Sequence, residues 1–312
     1  MNLTLVGVRL RAMKRDLSSN FAHTSRLSVQ AALLGIAFTC AGFSTAQTKP
    51  TPLTATASAS NPETWDKLAD TVFRHLSMQQ GLPQYSATSL AQDSDGFIWV
   101  GTQGGLARWD GYRFRNYLPQ ANAPYSLPDN YVMSLHHDSQ GRLWVGTNGG
   151  GWAMYDKLND RFVRVPTGPG GVSHVTVNAI TSDEKGNLWL ATRAGLNHYD
   201  PQTGKVRQFH VSDDGLPSDL VRTVARDGQG NIWAGTSQGL VKIDARTEQI
   251  TRVPLPIAAG KVQRIVTVCA SSDGKVWVGT FDSGAFYISP DDPEPKRLLV
   301  QKPHSNIPET IN

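Results

Sequence analysis

Three short stretches and one scattered set of side chains in this 312-residue chain carry residue types that could do chemistry. Gly235-Thr236-Ser237-Gln238-Gly239 has the G-x-S-x-G spacing of a nucleophile elbow, which needs a strand running into a helix. His136 and His137 could each ligate a metal, but neighbours on a strand point to opposite faces and cannot chelate one ion together. Asp93-Ser94-Asp95-Gly96 has the opening of a calcium loop without its later carboxylates. Arg193 and Arg222 could meet a carboxylate or phosphate, and Gln103, Asn148 and Asn178 could read hydroxyls. The first three lose their force once their surroundings are read, because each lies inside a phrase that the chain repeats.

The phrase is DGFIWVGTQGGLARWDG at 95–111, and it returns around Trp144, Trp189, Trp233 and Trp277. From Trp99 onward the steps between these tryptophans are 45, 45, 44 and 44 residues. Short alternating strands at a fixed period of about 40–50 residues predict an all-β propeller of four-stranded antiparallel blades. Copies are expected near 84–118, 129–165, 174–210, 218–254 and 262–300, with a sixth beginning at 305–312. In the first copy YSATSLAQD, FIWVGT, LARWD and YRFRNY read as the four strands in meander order. Ser237 therefore sits on a strand–loop–strand, and Asp95-Gly96 is a hairpin turn. No catalytic or metal-binding residue and no cofactor is expected.

Five copies in one chain separate what every blade needs from what is free to change. Gly96, Gly141, Gly186, Gly230 and Gly274 stand three before each tryptophan, where a tight turn needs positive φ. Two after it come Gly101, Gly146, Ala191, Gly235 and Gly279, a demand for small size, since alanine is accepted. The next residue is always threonine, whose hydroxyl is expected to bond the adjacent loop backbone. Ten before the tryptophan stand Ser89, Ser134, Ala179, Thr223 and Thr267, small residues expected beside a crowded central channel. Trp99, Trp144, Trp189, Trp233 and Trp277 are expected to form seams between blades.

Two positions vary freely inside this frame. Eleven before the tryptophan are Thr88, Met133, Asn178, Arg222 and Val266; four after it are Gln103, Asn148, Arg193, Ser237 and Phe281. In a meander blade both lie on one face of the disc, around the channel mouth, where propellers mount function. Gln103, Asn148, Asn178, Arg193 and Arg222 are thus the expected ligand-binding set.

The N-terminal region reads differently. Residues 1–46 hold Arg9, Arg11, Lys14, Arg15 and Arg26 against Asp16, then an apolar stretch ending Ser44-Thr45-Ala46. This is the pattern of a secretory signal cleaved after Ala46, with an uncleaved membrane anchor as the alternative and Met13 as an alternative start. Of 30 Lys+Arg and 26 Asp+Glu, 25 of each remain beyond it, so the net charge of +4 gives no reason to expect nucleic acid. Residues 47–62 are a Pro/Thr/Ser/Ala tract expected to be a disordered linker, leaving 63–312 for the partial propeller. Cys40 and Cys269 are the two cysteines, so stability must come from packing.

The blade phrase resembles the two-component regulator propeller repeat. So do the inter-blade phrases GLPQYSATSLAQD (81–93), SLPDNYVMSLHHD (126–138) and GLPSDLVRTVARD (215–227). The third copy, GVSHVTVNAI, lacks the Leu-Pro, and the fifth lacks the closing aspartate. The resemblance implies the N-terminal, ligand-sensing part of a bacterial signalling protein, exported to the periplasm and anchored in the inner membrane. It implies an incomplete, seven-bladed ring followed in the parent by further blades and a histidine kinase or diguanylate cyclase output, with no enzyme activity in this chain. A small molecule or saccharide, the rest of the parent and a second copy of the chain are the expected partners. An exported propeller lyase or hydrolase, or a protein-binding scaffold, are the alternatives. TVFRHLS (71–77) is expected to complete an absent last blade, and KRLLV (296–300) to be the fifth blade's outer strand.

Overall fold

A computed structural model describes residues 75–298, which apart from His75 belong to one compact unit, Leu76–Asn312. The expected signal sequence, the linker and the start of a sixth blade lie outside the described residues, as does most of TVFRHLS.

The described residues form five four-stranded antiparallel sheets in meander order. Blade one is β1 Ala87–Gln92, β2 Ile98–Thr102, β3 Gly105–Trp109 and β4 Phe114–Tyr117. Blade two is β5 Val132–His137, β6 Leu143–Thr147, β7 Trp152–Asp156 and β8 Arg161–Val165. Blade three is β9 Val177–Ser182, β10 Leu188–Thr192, β11 Gly195–Tyr199 and β12 Val206–Phe209. Blade four is β13 Val221–Arg226, β14 Ile232–Thr236, β15 Gly239–Ile243 and β16 Ile250–Val253. Blade five is β17 Ile265–Ala270, β18 Val276–Thr280, β19 Ala285–Ser289 and β20 Asp292–Arg297. Its outer strand thus begins four residues before KRLLV, because Ser289 pairs with Asp292 across the short turn Pro290-Asp291. The inner strands β1, β5, β9, β13 and β17 pack in succession, and among the described residues the five blades do not close a ring.

Each indole faces the next blade. Trp99 packs with Leu127, Val132, Leu143 and Phe162, and Trp144 with Val172, Val177 and Leu188. Trp189 packs with Leu216, Val221 and Ile232, and Trp233 with Ile265, Val268 and Val276. All four are at most 4% exposed. Trp277, with no later blade among the described residues, is half-buried. At 150–250 Å² per ring and about 25 cal/mol per Å², each sealed seam is stabilised by about 4–6 kcal/mol before entropy is counted.

The frame residues do local work. Gly96, Gly141, Gly186, Gly230 and Gly274 all have φ between +79° and +87°. The threonine hydroxyls Thr102, Thr147, Thr192, Thr236 and Thr280 each donate to the carbonyl of a glycine closing the next loop, at 2.6–2.9 Å. They also accept from a loop N–H, as Thr102 does from the Gly104 N–H at 3.1 Å. The glycine two after the tryptophan is crowded from two sides. A β-carbon at Gly101 would collide with Ser89 Oγ and lie 2.7 Å from Val132 Cγ1 of the next blade. In blade three Ala191 is opposite Ala179, so the methyl gained on one strand is matched by a hydroxyl lost on the other. The small residues ten before the tryptophan are therefore limited in size by this pairing and by the next blade.

Candidate functional site at the inner-strand mouth

The residue eleven before each tryptophan occupies a special place. In every blade the register slips by one there: Ala87 pairs with Thr102 and Ser89 with Gly101, leaving Thr88 unpaired. Met133, Asn178, Arg222 and Val266 are the extra residues of the same bulge in blades two to five. A bulge adds a residue to one strand and re-aims its side chain, so a position unneeded by the ladder is free to vary.

Beside each bulge lies the loop residue four after the tryptophan. Its N–H donates to a carbonyl at the start of the inner strand: Asn148 to Tyr131 (2.9 Å), Ser237 to Leu220 (3.0 Å) and Phe281 to Arg264 (2.9 Å). Bulge and loop are therefore held at one end of the strands, opposite the turns carrying Gly96 and its counterparts.

The structure brings part of the expected set together. Arg193 donates to Asn148 Oδ1 at 3.4 Å, joining blades two and three. Gln103 donates to the Tyr131 hydroxyl at 3.3 Å, joining blades one and two. Asn178 gives its amide N–H to Val221 O at 2.7 Å, and Thr88 its hydroxyl to Val132 O at 2.6 Å, so both tie neighbouring inner strands. Arg222 is exposed, and no acid faces it among the described residues. Ser237 Oγ lies 2.7 Å from Ser218 Oγ, with no histidine as partner, on the β14–β15 loop rather than a strand–helix turn. Arg264, unremarked in the sequence, stacks 4.6 Å from the Phe281 ring and pairs with Asp282 at 3.8 Å. Among the described residues the mouth thus offers two arginines without acid partners, amide groups and the exposed ring of Phe281: donors for an anion or for hydroxyls, and a face for an apolar ring.

His136 and His137 diverge, as neighbours on a strand must. His136 Nε2 lies 3.0 Å from Ser182 Oγ, and burial pushes its pKa down to about 4. His137 Nε2 is buried without a hydrogen-bond partner.

An aspartate stands six before each of the first four repeat tryptophans, and Ser271 before the fifth, a regularity not drawn on in the expected site. Asp93 Oδ1 accepts from the N–H groups of Asp95 and Phe97 at 3.0 Å, and its Oδ2 accepts from Trp99 Nε1 at 2.7 Å. Asp138 and Asp227 repeat this with Trp144 and Trp233, both at 2.8 Å. The calcium-like stretch is therefore a turn whose carboxylate also holds the seam indole. Its recurrence at a constant offset was the available signal.

Three stretches, 81–104, 126–149 and 215–238, match the sequence model of the family described as two component regulator propeller. Each runs from an inter-blade phrase through the bulge and the seam tryptophan to the mouth loop. No curated protein matches the chain. The extracellular domain assigned to the hybrid two component system BT4673 of B. thetaiotaomicron is similar in fold. The TM-score is 0.62 at 19% identity, over 73% of this chain and 32% of that one. Virginiamycin B lyase of Staphylococcus aureus gives 0.54 at 16% identity, over 70% of this chain and 71% of that one. PorZ, a surface component of the type-IX secretion system of Porphyromonas gingivalis, gives 0.52 at 19%, over 74% and 36%. These likenesses establish a β-propeller fold, and the chain spans about a third of the length of the two component extracellular domain.

Proposed function

We propose that this chain is the ligand-sensing propeller portion of an exported, membrane-anchored bacterial signalling protein. The carrying observation is the division of labour within the repeat: five copies hold the seam tryptophans and the turn glycines constant and release the bulge and loop positions gathered at one end of the strands. The match to the two component regulator propeller repeat supports a signalling context. The fold likenesses alone do not favour a sensor over a lyase. On this reading the chain is periplasmic, does no chemistry, and passes occupancy of its mouth to a histidine kinase or diguanylate cyclase elsewhere in the parent. The ligand is a small molecule or saccharide held by Arg193, Arg222, Asn148 and Gln103, and a second copy of the chain is a candidate partner in signalling.

The test is calorimetric titration of the chain with a panel of neutral and uronic-acid oligosaccharides. Binding that weakens at least about tenfold in Arg193→Ala and Arg222→Ala, with unchanged unfolding midpoints, supports the reading. Binding that is indifferent to both substitutions contradicts it.

A further inference from the structure

The seam indoles differ in what crosses the hairpin to lie on them. Trp99 is paired with Arg108, Trp144 with Met154, Trp189 with His198 and Trp233 with Lys242. The outer hairpin of the following blade answers this residue. Four places after its leading aspartate, Asp156, Asp200 or Asp244, stands a residue with positive φ: Asp160 in blade two, Gly204 in three and Glu248 in four. Left-handed backbone favours glycine, so an acid there needs a reason. The reason is a cation. Asp160 pairs directly with Arg115, and Arg108 reaches it through the Tyr155 hydroxyl, which accepts from Arg108 at 3.4 Å and donates to Asp160 at 2.5 Å. Glu248 pairs with Arg207 through Oε2 and lies 2.7 Å from His198 through Oε1, and His198 stacks on Trp189 with centroids 4.4 Å apart. Neutral Met154 faces the blade that carries glycine.

Lys242 breaks the correspondence. Its Nζ lies 5.6 Å from the centre of the Trp233 ring, and no acid meets it among the described residues. Blade five turns through Pro290-Asp291 alone, so its hairpin makes no four-residue excursion, and none of its carboxylates pairs with Lys242. What remains between blades four and five is a groove of about 700 Å³ beside Trp233 and Lys242, walled by Val253, Pro254, Ile288 and Pro290. The other charged groups along it are mostly engaged. Asp227 accepts from the Trp233 indole and Asn231, Asp273 pairs with Lys275, and Arg252 donates to the carbonyls of Gly215 and Leu216. Glu294 stands exposed on β20.

We propose that this groove binds a small amphipathic carboxylate. Its carboxyl group takes the place beside Lys242 that Glu248 takes beside His198, and its apolar body lies against Val253, Pro254, Ile288 and Pro290. The site is at the turn end of the strands, away from the mouth, and does not depend on the sensing role assigned there.

The test compares 4-phenylbutyrate with its neutral counterpart 4-phenylbutanol, titrated into the chain and followed by methyl NMR. The acid should bind at least about fivefold more tightly than the alcohol and shift the Ile288 and Val253 methyls, leaving the Val266 methyls at the mouth unmoved. Lys242→Met keeps an apolar stem on the indole; it should weaken the acid about tenfold and leave the alcohol unchanged. Lys242→Arg should keep the preference, which guards against misreading a folding defect. Absence of binding by the acid, equal binding of acid and alcohol to the unaltered chain, shifts confined to the mouth, or an acid affinity untouched in K242M overturns the proposal.

Discussion

Trp144 donates its indole N–H to the carboxylate of Asp138, six residues earlier, at 2.8 Å. The same carboxylate accepts from the N–H groups of Gln140 and Arg142 and from Arg142 Nε at 2.6 Å. Burial opposes its charge, but these bonds outweigh burial and hold its pKa below the ordinary carboxylate value. One side chain thereby closes a turn and fixes a seam indole. Asp138→Ala strands a buried indole N–H and three other donors, and should cost about 2–3 kcal/mol in urea unfolding of the chain. A loss below about 0.5 kcal/mol would mean that the turn and the indole hold themselves.

The match between Ala191 and Ala179 should be transferable. Gly101→Ala overpacks against Ser89 and Val132 and should cost about 1–3 kcal/mol. Ser89→Ala should be close to neutral, because that buried hydroxyl has no hydrogen-bond partner. The double substitution reproduces blade three, with Val132 standing where Val221 does, and should recover most of the loss. Additive losses in the double-mutant cycle would show that the pairing does not set the size limit.

Two histidines oppose each other in pH dependence. Burial depresses His136 to about 4, below its unfolded value of about 6.5, so its neutral form favours the fold. That contribution is present above about pH 6.5 and declines as pH falls towards 4, by at most about 3 kcal/mol. His198 runs the other way. Burial disfavours its proton, yet hydrogen bonds to Asp183 and Glu248 outweigh burial and raise its pKa. Its contribution is complete below the unfolded value and is lost as pH rises through the folded one. His136→Gln should flatten the decline in unfolding midpoint between pH 7 and 4, whereas His198→Gln should flatten the decline that sets in as pH rises above about 6.5. Parallel curves for all three proteins would contradict both assignments.

The blades, the positive-φ glycines and the threonine bonds were legible because the chain repeats them, and five local copies expose a constant requirement. The bulge at Thr88 and its counterparts was not, since a one-residue slip in pairing leaves no mark on residue type. The two variable positions could be found, but not that Asn178 spends its amide on Val221 or that Arg193 meets Asn148. Those contacts run between blades and depend on how neighbouring sheets are set. The exchange of Glu248, Gly204 and Asp160 against His198, Met154 and Arg108 was equally hidden, because each partner varies and only their pairing across a seam is regular.

Replacement of the repeat tryptophans one at a time by alanine tests the architecture most directly. Trp99, Trp144, Trp189 and Trp233 each seal a seam, and each replacement should lower the unfolding free energy by about 3–5 kcal/mol. Half-buried Trp277, with no later blade against it among the described residues, should cost less than half as much. Equal losses at all five positions, or losses confined to ligand binding, would contradict the assignment of these indoles to seams between blades.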